Sequence, residues 1–77
     1  MKAYINIKLF ATLNKFNPDS SDNYPIKPGT TVETLLDELG IPRTEAKLIF
    51  INGIKHDLTS VLQGGERVGI FPPVGGG

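Results

Sequence analysis

The sequence predicts an α+β domain: one mixed sheet of four to five strands with a single helix packed across its apolar face. Three observations predict it. Residues 2–10 alternate, with Ala3, Ile5, Ile7 and Leu9 on one side and Lys2, Tyr4, Asn6 and Lys8 on the other, as in a half-buried strand. Val32, Leu35, Leu36 and Leu39 recur at i, i+3, i+4, i+7, the stripe of an amphipathic helix. Further short apolar runs follow that helix. Strands, then one helix, then more strands is an α+β order.

Each element has its own local signals. Residues 11–22 are mostly polar and broken by Pro18, which predicts a loop. Asn23 to Lys27 reads as a short second strand bounded by Pro25 and Pro28, and proline places such a strand at a sheet edge. The helix start carries two candidate caps, Thr30 with Glu33 as a capping box and Thr31 as an alternative N-cap. Gly40 suits the residue just past the helix, and Pro42 blocks continuation. Residues 47–52 read as a strand apolar on both sides, and Asn52-Gly53 is a hairpin dipeptide that returns the chain through Ile54 to Asp57. Leu58 to Leu62 is expected to be a brief helical turn that puts Leu58 and Leu62 on the core. Gln63-Gly64-Gly65-Glu66 turns the chain again. Arg67 to Phe71 is the last strand, with Val68 and Ile70 on one side and Arg67, Gly69 and Phe71 on the other.

Composition narrows the function. Seventy-seven residues with zero net charge make one small domain. A chain this short buries only about 60% of its unfolded surface. Without cysteine there is no disulfide framework, thiolate nucleophile or iron–sulfur site. The single histidine, His56, sits on a polar turn with Lys55 and Asp57, which reads as a solvated turn. No basic stripe supports nucleic-acid binding, and no apolar run approaches the roughly 18 residues of a membrane span. The strand pattern at Met1 leaves no room for a signal peptide, so a cytoplasmic protein without a self-contained active site is expected.

The informative segment is the last one. Phe71-Pro72-Pro73-Val74 leads into Gly75-Gly76-Gly77. Two prolines lack N–H donors and cannot extend a ladder, so the last strand is expected to stop at Phe71. The body is expected to span residues 1–71, and residues 72–77 to form an extended tail reaching roughly 20 Å. Glycines without Cβ atoms can pass close to another backbone. A terminal carboxylate on Gly77 would be ionised in the cell, with a pKa of about 3.3–3.7, and needs activation before it can react.

Three sets of residues carry a family resemblance. They are Ile51-Asn52-Gly53, then Leu62-x-Gly64-Gly65-Glu66-x-Val68, then Phe71-Pro72-Pro73-Val74-Gly75-Gly76-Gly77. Leu9-Phe10-Ala11-x-Leu13 and Thr31-Val32-x-x-Leu35 add to them. Together they resemble the MoaD/ThiS-type sulfur carriers of the ubiquitin-like superfamily, and the Phe-Pro-Pro form is most similar to the small subunit of molybdopterin synthase. Asn14-Lys15 stand where this branch often has Arg-Glu. The resemblance implies a β-grasp fold. It implies that Gly77 is adenylated by a ubiquitin-activating-type enzyme using ATP, then converted to a thiocarboxylate by a separate sulfur donor. The loaded tail would enter the large subunit of molybdopterin synthase, with Gly76 admitting close passage. No bound cofactor or metal is implied.

In that fold the first and last strands are parallel neighbours. Phe10 and Phe71 are then expected side by side, away from the helix, at the base of the tail. An exposed aromatic pair there suggests a docking patch, continued by Pro72, Pro73, Val74 and Gly75, with Ile49 or Phe50 extending it according to register. Three other readings remain: a carrier for another acceptor (thiazole of thiamine, tRNA thiolation, cysteine or a tungsten pterin), a ubiquitin-like modifier joined through Gly77 to lysines, and an inert interaction module.

Overall fold

The computed structural model describes residues 3–73. Its strands are β1 (Ala3–Leu9), β2 (Tyr24–Ile26), β3 (Thr30–Thr31), β4 (Leu48–Ile51), β5 (Ile54–His56), β6 (Val61–Leu62) and β7 (Arg67–Phe71), with the helix α1 (Val32–Leu39) between β3 and β4. Five strands form one sheet in the order β2-β1-β7-β4-β5. β1 and β7 run parallel, whereas β2 on β1, β4 on β7 and β5 on β4 are antiparallel. A parallel pair cannot be joined by a tight turn, and here the whole middle of the chain, helix included, forms the connection.

Local chemistry sets the boundaries. Pro25 faces Tyr4 in the register of β2 on β1; lacking an N–H, it suits the edge position that β2 occupies. Thr31 caps α1, its Oγ1 accepting from the Thr34 N–H at 3.2 Å. The Thr30–Glu33 capping box does not form, because the Glu33 N–H donates to the Leu58 carbonyl at 3.0 Å, while the Thr30 hydroxyl donates to the Lys27 carbonyl at 2.6 Å. Gly40 ends the helix at φ +78°, and Ile41 N–H returns to the Leu36 carbonyl at 2.9 Å. Asn52 and Gly53 both take positive φ, +54° and +82°, which a two-residue hairpin of this hand requires.

One face of the sheet and one stripe of α1 make the core. Ile5, Ile7 and Leu9 from β1, Val68 and Ile70 from β7, and Ile49 and Ile51 from β4 meet Val32, Leu35 and Leu36. Eight helical residues are too few to persist alone, so this burial is what holds α1.

Two segments differ from the sequence reading. Residues 11–22 contain two 3-10 turns, Ala11–Phe16 and Ser21–Asn23, and the first drives Leu13 into the core at 1% exposure. Leu58 to Leu62 is not a helical turn. A single hydrogen-bonded turn at Leu58–Thr59 leaves Leu58 half-buried against the core, as expected, and Leu62 lies fully buried on β6, which pairs with β3 as a separate two-stranded ribbon. Thr30 and Thr31 face Leu62 and Val61, a long-range match that local periodicity does not reveal.

Candidate functional site

β7 stops at Phe71, and Pro72 and Pro73 follow outside the sheet. Its last two residues are each fastened, one from either side. The Lys47 N–H donates to the Phe71 carbonyl at 2.9 Å, and the Phe10 N–H to the Ile70 carbonyl at 3.1 Å. The direction in which the chain leaves the sheet is therefore set by both neighbouring strands.

At this exit three aromatic rings gather on the face away from α1. Phe10 and Phe71 stack with centroids 4.2 Å apart and planes 1° from parallel. Phe50 meets Phe71 edge-on at 5.6 Å and 83°. Phe10 remains 37% exposed. Such ring pairs contribute about 0.5–1.5 kcal/mol beyond the area they bury. Ala11 sits at φ +53°, a left-handed conformation costing a non-glycine residue about 1–2 kcal/mol. It bends the chain off the sheet directly after Phe10 and leaves that ring lying over β7.

Beside the rings lies an open depression of about 410 Å³, lined among others by Asn6, Lys8, Phe50, Arg67, Gly69 and Phe71. The register explains it. Lys8 pairs with Gly69, Gly69 with Phe50, and Phe50 with Lys55. A single row across four strands thus reads Lys, Gly, Phe, Lys, with a side chain missing at its second position. Sequence alternation put Gly69 and Phe71 on this face. It could not align Lys8 and Phe50 with Gly69, because that alignment exists only once the strands pair.

Of the expected site residues, the structure brings Phe10, Phe71 and Pro72 together at the end of β7, with Pro73 exposed beyond them. Val74, Gly75, Gly76 and Gly77 lie outside the described residues. The His56 turn is a local network: His56 Nδ1 and Ser60 Oγ are 3.1 Å apart. Hydrogen bonds from the Thr59 hydroxyl at 2.7 Å and its N–H at 3.1 Å hold the Asp57 carboxyl below its ordinary range. Among the described residues no three His, Cys, Asp or Glu side chains cluster to hold a metal, and no helix is long and apolar enough to cross a membrane.

The model of the Mut7-C ubiquitin family matches residues 2–75. The chain belongs to that family. Its fold is the β-grasp of ubiquitin-like proteins, and solved structures share it. The HVO 2177 protein of Haloferax volcanii superposes with a TM-score of 0.76 at 22% identity, over 99% of this chain and 88% of that one. Small archaeal modifier protein 1 of H. volcanii gives 0.67 at 25% identity, over 94% and 99%. A provisionally assigned molybdopterin converting factor, subunit 1, from Pyrococcus furiosus gives 0.63 at 24% identity, over 94% and 99%. A comparison with curated proteins returned no match. The chain thus shares its architecture with each of these structures.

Proposed function

We propose that the chain is a sulfur carrier acting as the small subunit of molybdopterin synthase. In this reading the Gly77 carboxylate attacks the α-phosphorus of ATP on an activating enzyme, releasing pyrophosphate and leaving an acyl-adenylate. Hydrosulfide released by a separate donor then attacks the acyl carbon, AMP departs, and loss of the proton leaves a thiocarboxylate. In the large subunit its sulfur bonds to a carbon of a pterin precursor, displacing an oxygen there, and water cleaves the acyl–sulfur bond to return the Gly77 carboxylate. The β-grasp body positions the tail, and the chain's lack of cysteine is no obstacle because the sulfur is supplied from outside.

One observation supports this reading most: the Phe10–Phe71–Phe50 cluster, half-buried except for the exposed Phe10, stands where the Pro72-Pro73 segment leaves β7. A partner that grips the rings is held beside the segment that leads to Gly77. The likeness to a molybdopterin converting factor subunit points the same way. The likeness to a modifier protein favours a second reading, in which the activated Gly77 is passed to lysine amines.

The test compares the native chain with a version extended by one alanine after Gly77 and with Gly76→Phe. Native chain loads sulfur in the presence of ATP, a sulfur donor and the host activating enzyme. Both variants lose loading while keeping the native unfolding midpoint. Equal loading by either variant overturns the proposal. Lysine-linked conjugates in cells, without sulfur loading, establish the modifier reading in its place.

A further inference from the structure

We infer that the depression over Gly69 is a socket for one apolar side chain of a partner protein segment that also carries carboxylates. The inference rests on the reading that this face docks partners, and it adds the chemistry of what docks. Neighbouring strands lie about 4.8 Å apart, and residues rise about 3.3 Å along each. Gly69 therefore leaves a gap of roughly 10 Å between the side chains of β1 and β4, and roughly 13 Å between those of Arg67 and Phe71, and the edge of the Phe10 ring fills part of it. That is room for a ring or a branched aliphatic group. Phe50 and the stacked pair supply apolar walls. A Cβ added on Gly69 would stand 3.4 Å from Phe10 Cε2, so the Phe10 ring edge closes one side of the socket and a larger side chain at Gly69 would occupy the rest.

The rim decides the partner's charge. Lys8 and Arg67 line the depression, project from this face of the sheet and are exposed, and Lys55 adds a third exposed cation farther along the same row, beyond Phe50 on the edge strand β5. Among the described residues, the ion pairs of the molecule both use Arg43, which contacts Glu33 and Asp37 on the opposite, helical side. Asp22 reaches the rim only through Asn6, whose Nδ2 donates to its carboxylate at 3.3 Å. A cationic rim around an apolar hole complements a segment with Asp or Glu flanking an apolar residue, and charge complementarity of this kind governs specificity and association rate. The two cations that line the depression, Lys8 and Arg67, are too few for the extended basic stripe that nucleic-acid backbones recruit.

The experiment pans the immobilised full chain against displayed random peptides, then measures binding of the selected peptides and of an oligo-uridine. Selected sequences are expected to carry an apolar residue flanked by acidic ones. Gly69→Val fills the socket, and Lys8→Glu with Arg67→Glu reverses the rim at exposed positions where folding is insensitive. Each is expected to weaken the selected peptides at least about tenfold at an unchanged unfolding midpoint. Should Gly69→Val unfold, the charge-reversed variant carries the test alone. Selection of sequences without acidic residues, equal binding by the variants, oligo-uridine binding as tight as the peptides, or no selection at all overturns the inference. Sulfur loading is scored separately. Loading without selection removes the socket alone, whereas selection without loading removes the carrier reading and leaves the socket.

Discussion

Gly64 adopts φ +124°, and a Cβ placed on it would fall 2.6 Å from the Ala3 Cβ. Real side chains do not tolerate either feature, so this turn accepts only glycine. The turn is otherwise well satisfied. The Glu66 carboxylate accepts from the Gln63 and Gly64 N–H groups at 2.8 and 2.7 Å, and the Gly65 N–H donates to the Tyr4 carbonyl at 2.7 Å. These bonds deliver β7 alongside β1 in the register that places Gly69 beside Lys8. Gly64→Ala is expected to cost about 1–3 kcal/mol, read as a lower urea midpoint. Gly65, whose Cβ would meet open space, provides the comparison; a Gly64→Ala midpoint equal to the native one would contradict this account of the turn.

At the scale of elements, β2 is attached to α1 by one polar contact besides the core: the Tyr24 hydroxyl donates to Glu38 Oε1 at 3.2 Å. Burial, with the Glu38 charge and this hydrogen bond, raises the Tyr24 phenol above its ordinary 10.0. A raised value in the folded state means that the contribution is fully present below the unfolded value and is lost as pH rises through the folded one. Tyr24→Phe should therefore cost under about 1 kcal/mol at neutral pH. The gap between native and variant should close towards about pH 11. Unfolding free energies of both proteins at the two pH values check this, and a pH-independent gap would refute the contact's role. Elements of this kind were legible in the sequence where a period or a turn dipeptide marks them. Ile5, Ile7 and Leu9, the helix stripe and Asn52-Gly53 all read directly. The β3–β6 ribbon did not, because its two-residue strands are too short for a period and exist only through pairing. Leu13 was hidden for another reason: Pro18 and the polar residues 17–22 read as a loop, and the short 3-10 turn that aims Leu13 inward, with Phe16 three residues on packed against the core, is too brief to show a sustained period.

For the whole molecule, the sheet separates two surfaces. One is covered by α1, whose exposed side bears acidic residues held near Arg43. The other is open, aromatic at the end of β7 and cationic around Gly69. The outer face was only half legible. Alternation assigned Phe10, Gly69 and Phe71 to it, whereas the Lys8–Gly69–Phe50–Lys55 row required the register of four strands. The proposed carrier role would divide the work between the open face, which docks partners, and Gly77, which carries the acyl chemistry. The most direct measurement of this account is the intact mass of the chain after incubation with ATP, a sulfur donor and the host activating enzyme. Exchange of one oxygen for sulfur at Gly77 predicts a gain of about 16 Da, the mark of a group carrier. An unchanged mass, with a known carrier loaded in the same mixture, would contradict it.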